Sequence, residues 1–272
     1  MRRLWPLFWL LVLFAGGLRP LAAETLTFGI VPQQSAKKLA RLWTPVLRDL
    51  GERSGHEVVF ATAKNIPTFE RRVRDGQYDV AYMNPYHFVR FSDAPGYRAL
   101  ARQRDKRIRG IIVAKKSAGI ASLDKLADAT LAFPAPAAFA ASILTRGELG
   151  SRGVPFSPQY VSSHDSVYLG VARGMFLAGG GVMRTFNNAP EAVRNQLEVI
   201  WTTGPYTPHA IATRPGMLDS TRADLRRALL EMNESPESLE RLASIKFKGF
   251  EIASSQDWDD VRGLNLNTLL AD

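Results

Sequence analysis

Hydrophobic residues along the chain form short strand-like runs separated by stripes at helical spacing. The segment LTFGIVP, residues 26–32, alternates apolar positions and ends in proline, which predicts a first β-strand. An apolar stripe follows with the period of an amphipathic helix, in which we expect Pro45 to produce a kink. The stripe consists of Leu39, Leu42, Trp43, Val46, Leu47 and Leu50.

The alternation of strands and helices continues along the chain. Further strands are predicted at residues 57–61, 78–83, 109–116 and 130–133, with helical patterns between them and two helices near the C-terminus. Regular alternation of this kind is typical of the α/β class, and we expect mostly parallel sheets.

The segment AFPAPAAFAASIL, residues 132–144, predicts a strand, a proline-containing turn and a helix. Pro136 is predicted as the first helical residue, and Ala135 before it has no side-chain oxygen that could cap the helix. A helix start leaves about four backbone N–H groups without partners. The amides of residues 137–139 are therefore either held for an anionic ligand or satisfied by water or a neighbouring loop.

The N-terminus has the layout of a secretory signal peptide. Arg2 and Arg3 precede an apolar run over residues 4–14 and a stretch of small residues, so we predict a signal peptide over residues 1–23. The run is short for a membrane span of roughly 20 residues, although an uncleaved anchor is the alternative. The chain has no cysteine, which excludes disulfides, thiolate metal sites and a lipoprotein anchor.

The chain is basic, with a formal charge of +9 over its 272 residues. Loss of Arg2, Arg3 and Arg19 with the signal peptide would leave a mature chain that is still positive. This charge weakly favours anionic partners and fits a role in solubility equally well.

No motif of an enzyme or metal site is present. His164, Asp165 and Ser166 are adjacent, but a catalytic triad is assembled in space and not from neighbouring residues. The four histidines show no metal-ligand spacing, so we expect no catalysis, no cofactor and no metal. The glycine run over residues 178–181 indicates either a tight strand–loop passage or close approach of backbone to a ligand.

Polar residues follow the predicted strands at the edge where open α/β sheets bind ligands. Helix N-termini meet at the same edge and favour anions. An anionic ligand is therefore expected there, although His164 could instead cap its helix and Arg184 could pair with a surface carboxylate. The candidate residues are Gln33, Ser35, Asn84, Tyr86, His87, Ser163, His164, Ser166, Arg184 and Thr185.

The chain resembles the phosphonate-, phosphite- and phosphate-binding proteins of ABC transporters over about residues 26–258. The resemblance is carried by the segments at residues 29–55, 71–86, 110–144, 163–174 and 199–210. It implies an α/β protein with the type II periplasmic binding fold: two α/β lobes joined by two hinge strands, with a ligand closed between them and no catalysis. We predict that residues 24–108 and 213–272 form lobe 1 and that residues 109–212 form lobe 2.

The resemblance also implies ligand-contacting residues. Relatives carry Ser-Thr-Ser at the helix start where this chain has Ala138, Phe139 and Ala140, while His164 matches their ligand-contacting histidine. A tyrosine of relatives is replaced by Asn65. We expect the ring of Phe139 to lie either in the cleft or in the core.

Arg184 stands in the region where some relatives have an acidic residue for a ligand amino group. With the three hydroxyls absent, we expect a ligand that needs fewer hydrogen bonds from the protein than inorganic phosphate does. If phosphate were nevertheless preferred, Arg184 and Thr203 would be the first candidates to supply the missing hydrogen bonds to its oxygens.

These observations predict an exported, monomeric solute-binding protein that captures a small phosphorus oxyanion for an ABC permease, with no nucleic-acid partner. The alternative is a periplasmic ligand sensor that acts on a membrane sensor kinase. A secreted hydrolase is disfavoured because nucleophile motifs are absent.

Overall fold

The computed structural model of the protein describes residues 24–264. The predicted signal peptide at residues 1–23 and the end of predicted lobe 1 at residues 265–272 lie outside the described residues. Within residues 24–264 no helix has the length and apolar character required to cross a membrane.

Eleven strands are described. They are β1 Thr25–Ile30, β2 Glu57–Ala61, β3 Val80–Met83, β4 Arg98–Gln103, β5 Gly110–Lys115, β6 Ala129–Phe133, β7 Phe156–Tyr160, β8 Ala178–Val182, β9 Leu197–Thr202, β10 Ala210–Thr213 and β11 Phe250–Ile252. They form a first sheet of six strands in the order β11-β4-β10-β3-β1-β2 and a second sheet of five in the order β7-β6-β8-β5-β9.

Helices surround the two sheets. The α-helices are α1 Ala36–Ser54, α2 Ile66–Arg74, α3 Pro85–Asp93, α4 Leu144–Ser151, α5 His164–Ala172, α6 Met183–Asn187, α7 Glu191–Arg194, α8 Asp219–Glu231, α9 Pro236–Ser244 and α10 Asp259–Arg262. Short 3₁₀-helices lie at Lys116–Ala118, Leu123–Leu126 and Ser255–Trp258, and a π-helix lies at Phe139–Ile143.

The apolar stripe predicted for the first helix faces the core of the first sheet. Trp43 is 2% exposed, and its ring lies 4.9 Å from that of Tyr82 on β3. Pro45 lies inside α1. The helical period of the stripe therefore correctly predicted both the helix and its buried face.

The expectation of mostly parallel sheets is wrong, because both sheets are mixed. β1 pairs in parallel with β2 and β3, whereas β10 is antiparallel to β3 and β4. In the second sheet β6 is parallel to β7 and β8, whereas β5 is antiparallel to β8 and β9. The chain leaves the first sheet through β4 and returns through β10 at the same end, so these neighbouring strands run in opposite directions.

Two segments connect the sheets, at residues 104–109 and 203–209, and they pair with each other. The backbone amides of Ile108 and Tyr206 donate to each other's carbonyls over 2.8 and 2.9 Å. β10 belongs to the first sheet, so the predicted lobe boundary between residues 212 and 213 falls inside that strand. A division by sheets would place the boundary before Ala210.

The glycine run corresponds to β8, a central strand, and not to a strand–loop passage. A Cβ added to Gly180 would lie 1.9 Å from the Ala141 carbonyl oxygen, and one added to Gly110 would lie 2.0 Å from that of Ala140. The close backbone approach is therefore to the helix that follows β6, which lies directly against β5 and β8.

Candidate functional site

The helix of the strand–proline–helix segment does not begin at Pro136 as predicted. Pro136 and Ala137 form a turn, and the π-helix begins at Phe139 and continues into α4. The amide of Ala138 donates to the Ala135 carbonyl over 3.2 Å, and no side chain in the described part of the chain caps this helix. One of the three amides in question is thus satisfied within its own turn, and not by a ligand, water or a neighbouring loop.

Phe139 packs into the core. Its side chain is 1% exposed, and its ring meets that of Tyr206 edge-on with centroids 5.6 Å apart. Ala138 and Ala140 are buried on either side of it. Of the two expected positions for the Phe139 ring, the structure therefore shows the core.

Six of the predicted site residues line one small cavity between the sheets. Its volume is about 10 Å³, which is about the space that one water molecule needs. The predicted residues at this cavity, which we call the inner cavity, are Gln33, Asn84, Ala138, Phe139, Ala140 and His164.

Polar contacts cross between the two sheets around the inner cavity. The side-chain amide of Asn84 donates to the Ala137 carbonyl over 2.9 Å, and the amide of His164 donates to the Gln33 carbonyl over 3.3 Å. The guanidinium of Arg184 also donates to the side-chain oxygen of Gln33. These contacts hold the loops of the two sheets together at the predicted ligand edge.

His164 is the first residue of α5 and does not cap it, because the cap is Ser163, whose hydroxyl accepts from the Ser166 amide over 3.1 Å. The Nδ1 atom of His164 lies 3.2 Å from the Thr185 hydroxyl. Burial, and then the charge of Arg184, lower the pKa of His164 to about 3. The imidazole is therefore neutral at physiological pH and can offer a ligand an uncharged hydrogen bond.

The candidates Ser35, His87, Ser166 and Thr185 do not line the inner cavity, and neither do four further predicted residues, which have other partners. Asn65 caps α2 by accepting from the Thr68 amide, and Ser163 caps α5. The Tyr86 hydroxyl accepts from Arg90, and the Thr203 hydroxyl accepts from the Gly110 amide over 2.9 Å. Direct ligand contact by these four residues stays a prediction.

A larger cavity of about 230 Å³ lies beside the connecting segments, and we call it the hinge-side cavity. Of its residues, only Arg184 was among the predicted site residues. The basic segment KRIR at residues 106–109 was the sequence signal that could have indicated it. Its lining residues are Tyr82, Gln103, Lys106, Arg107, Ile108, Arg109, Val182, Met183, Arg184, Pro208 and His209.

Metal chemistry has no candidate site in the described part of the chain. No group of three or more histidine, cysteine or acidic residues between residues 24 and 264 is arranged to hold a metal ion.

Two sheets joined by two paired connecting segments, with polar loops meeting between them, define a two-lobe binding protein. Residues 28–258 match the family described as the phosphonate periplasmic substrate-binding protein of ABC transporters. The chain belongs to this family of transport proteins, whose location is periplasmic. The sequence resemblance and the fold class are thereby confirmed, and the alternative role as a sensor gains no support.

Two solved structures share the fold. One is a binding protein component of an ABC phosphonate transporter from Pseudomonas aeruginosa, with a TM-score of 0.82, 18% identity, and coverage of 91% of this chain and 87% of that one. The other is PhnD1 from Prochlorococcus marinus in complex with methylphosphonate, with a TM-score of 0.82, 18% identity, and coverage of 91% and 99%.

A curated relative is the phosphate-import protein PhnD of Mycolicibacterium smegmatis. It is 23% identical over 203 residues, which are 65% of this chain and 62% of the relative. The match thus spans less than two thirds of the relative's length.

Proposed function

We propose that this chain captures a small oxyanion of the phosphonate, phosphite and phosphate class between its two lobes and presents it to an ABC permease. The observation that carries the proposal is the hinge-side cavity. Lys106, Arg184 and His209 line this cavity at the junction of the two sheets, and none of its lining residues between residues 24 and 264 is a carboxylate. Such a cavity favours an anion.

The remaining parts of the proposal have separate support. Export through a signal peptide at residues 1–23 is consistent with a periplasmic family, and the chain is proposed to act as a monomer. A purely binding role is supported by the absence of a nucleophile motif from the sequence. The predicted contacts of Gln33, Asn84 and His164 with the ligand are supported by their position around the inner cavity.

The first test is a thermal-shift panel of phosphate, phosphite, methylphosphonate, aminoethylphosphonate, sulfate and nitrate. A ligand that binds only the folded state raises stability by about 2.7 kcal/mol at a hundredfold excess over its Kd. Methylphosphonate is expected to give a larger shift than phosphate. The wall formed by Ala138, Phe139 and Ala140 offers no hydroxyl, and a buried dianion needs its oxygens hydrogen-bonded.

The two ways in which this panel could fail are distinct. If phosphate gave the largest shift, the argument from the missing hydroxyls would be wrong and Arg184 would be the first residue to examine. If none of the six anions produced a shift, capture of a small oxyanion would be refuted.

Ligand binding is also expected to close the lobes about the segments at residues 104–109 and 203–209. Small-angle scattering with saturating methylphosphonate should then give a smaller radius of gyration than scattering without it. An anion that gives no thermal shift serves as the control. An unchanged profile at a concentration where calorimetry proves binding would contradict the hinge motion.

A further inference from the structure

A neighbouring cavity of about 370 Å³ shares Lys106, Met183 and Arg184 with the hinge-side cavity. The neighbouring cavity adds Asn187 and Lys246. Small-molecule sites typically measure about 300–1,000 Å³. The neighbouring cavity lies within this range and the hinge-side cavity of about 230 Å³ lies just below it, whereas the inner cavity of about 10 Å³ has no room for an organic ligand.

The cations of these two cavities differ in whether the protein already neutralises them. Arg107 pairs with Asp260 over 2.8 Å, and Arg109 donates to the Thr203 carbonyl over 2.9 Å. Lys106 and Lys246 make no ion pair with any described carboxylate, and the only described side-chain partner of Arg184 is the neutral amide of Gln33. Three positive charges without a described carboxylate partner thus line the neighbouring cavity, two of them, Lys106 and Lys246, on exposed side chains.

The electrostatic state of Lys106 is consistent with uncompensated charge. Burial, and then the like charges of Arg184 and Lys248, lower the pKa of its ammonium. An anion placed among these cations would reverse the repulsion, so binding would restore the pKa of Lys106 toward its ordinary value.

His209 supplies an independent indication of a ligand. It is 4% exposed and lines both the inner and the hinge-side cavities, and its Nε2 atom is buried without a hydrogen-bond partner among the described residues. Its ring stacks on Tyr82 with centroids 4.9 Å apart, which fixes its orientation. A buried polar atom without a partner is costly unless something bonds to it.

We propose, building on the proposed function, that the anionic group of the ligand binds in the hinge-side cavity between Lys106 and Arg184, within reach of His209. The ligand is accordingly a phosphonate with an apolar substituent and not a bare inorganic oxyanion, because much of the cavity wall is apolar. The apolar lining comes from Tyr82, Ile108, Val182, Met183 and Pro208.

The test compares three chains by calorimetry with phenylphosphonate, methylphosphonate and inorganic phosphate. Lys106→Met removes the charge and keeps most of the stem. Lys125→Met makes the same change at an exposed residue that lines neither cavity. We expect wild-type protein to bind phenylphosphonate more tightly than phosphate. Because a charge-assisted hydrogen bond is lost, Lys106→Met should weaken that binding about tenfold or more, and Lys125→Met should leave it unchanged.

Each other outcome has a definite meaning. Binding of phenylphosphonate or methylphosphonate with equal affinity by wild type and Lys106→Met would overturn the hinge-side site while leaving anion capture intact. Tighter binding of phosphate than of phenylphosphonate would overturn the apolar substituent. If wild-type protein bound none of the three ligands, the proposed function would fail together with this inference.

Discussion

Acidification from pH 7.5 to 5.5 is expected to lower the free energy of unfolding by about 4 kcal/mol. The loss comes from three buried histidines, His87, His164 and His209, which are all at most 4% exposed. Each imidazole is neutral in the folded protein, because a charged ring buried there would lack the solvation that water gives it. The unfolded chain has no such restriction.

The sign follows from the direction of the three pKa shifts. Burial, and then the charge of Arg90, lower the pKa of His87 to about 3. The pKa of His164 is lowered to about 3 for the same kind of reason, and burial lowers that of His209 well below its ordinary value of 6.5. Below pH 6.5 the unfolded chain therefore binds protons that the folded chain does not. The stability is complete above that pH and is lost as the pH falls toward 3.

Two carboxyl groups act in the opposite direction. Burial raises the pKa of Glu70, whose Oε1 lies 3.7 Å from Nε2 of His87, and burial also raises the pKa of Asp165. A raised carboxyl pKa lets the folded state take up a proton before the unfolded state does. The pH window ends at 5.5 because ordinary carboxyl groups titrate about one unit lower.

Urea unfolding followed by circular dichroism at pH 7.5, 6.5 and 5.5 measures this loss. In the acidic half of the window, the slope of the free energy of unfolding against pH should correspond to nearly three protons. His87→Gln should lower that number by about one. A loss below about 1.5 kcal/mol between the two end points would mean that the histidines protonate without unfolding.

The fold could be predicted because its signals are local and repeated. The stripe that includes Trp43 and Leu47 specifies α1, and each following run specifies one more strand or helix. Strand direction could not be predicted in the same way. The antiparallel placement of β10 depends on where the chain returns to the first sheet, about a hundred residues after it left through β4.

The candidate site could be predicted only in part, for a similar reason. Gln33, Asn84 and His164 follow strand ends, and the carboxyl ends of strands meet at one edge. Lys106 begins the basic segment at residues 106–109, which the sequence did not link to a site, and Lys246 belongs to no motif. They lie in a connecting segment and at a left-handed residue after α9 with φ of 63°, and only the tertiary structure brings them to one cavity.

The glycine run shows how packing can hide a strand. Glycine disfavours strand interiors, so the alternatives for the glycine run at residues 178–181 were a strand–loop passage and close approach of backbone to a ligand. Within a sheet, glycine also permits another backbone to approach closely, and Ala141 occupies that space at Gly180. Glycine is thus required at residue 180 because of a contact with Ala141, which is distant in the sequence.

Gly180→Ala is accordingly expected to destabilise the protein by about 3 kcal/mol, the upper end of the cost of overpacking a core. The new methyl group would meet the Ala141 carbonyl oxygen at 1.9 Å and the Phe133 ring at 2.7 Å. Neither contact can be relieved by turning a flexible side chain, so the helix beginning at Phe139 must move away from β8.

Gly150→Ala is the matched control for this substitution. Gly150 lies in α4, and an added Cβ would meet no atom within 4 Å, so this variant should gain about 0.5–1 kcal/mol from better helix propensity. Urea unfolding at pH 7.5 measures both variants. Stability of Gly180→Ala within about 0.5 kcal/mol of wild type, the range of an ordinary surface change, would show that β8 does not hold the helix start in place. Val182 at the end of β8 lines both the inner and the hinge-side cavities, so a real shift of the helix against β8 should weaken anion binding in this variant and leave it intact in Gly150→Ala.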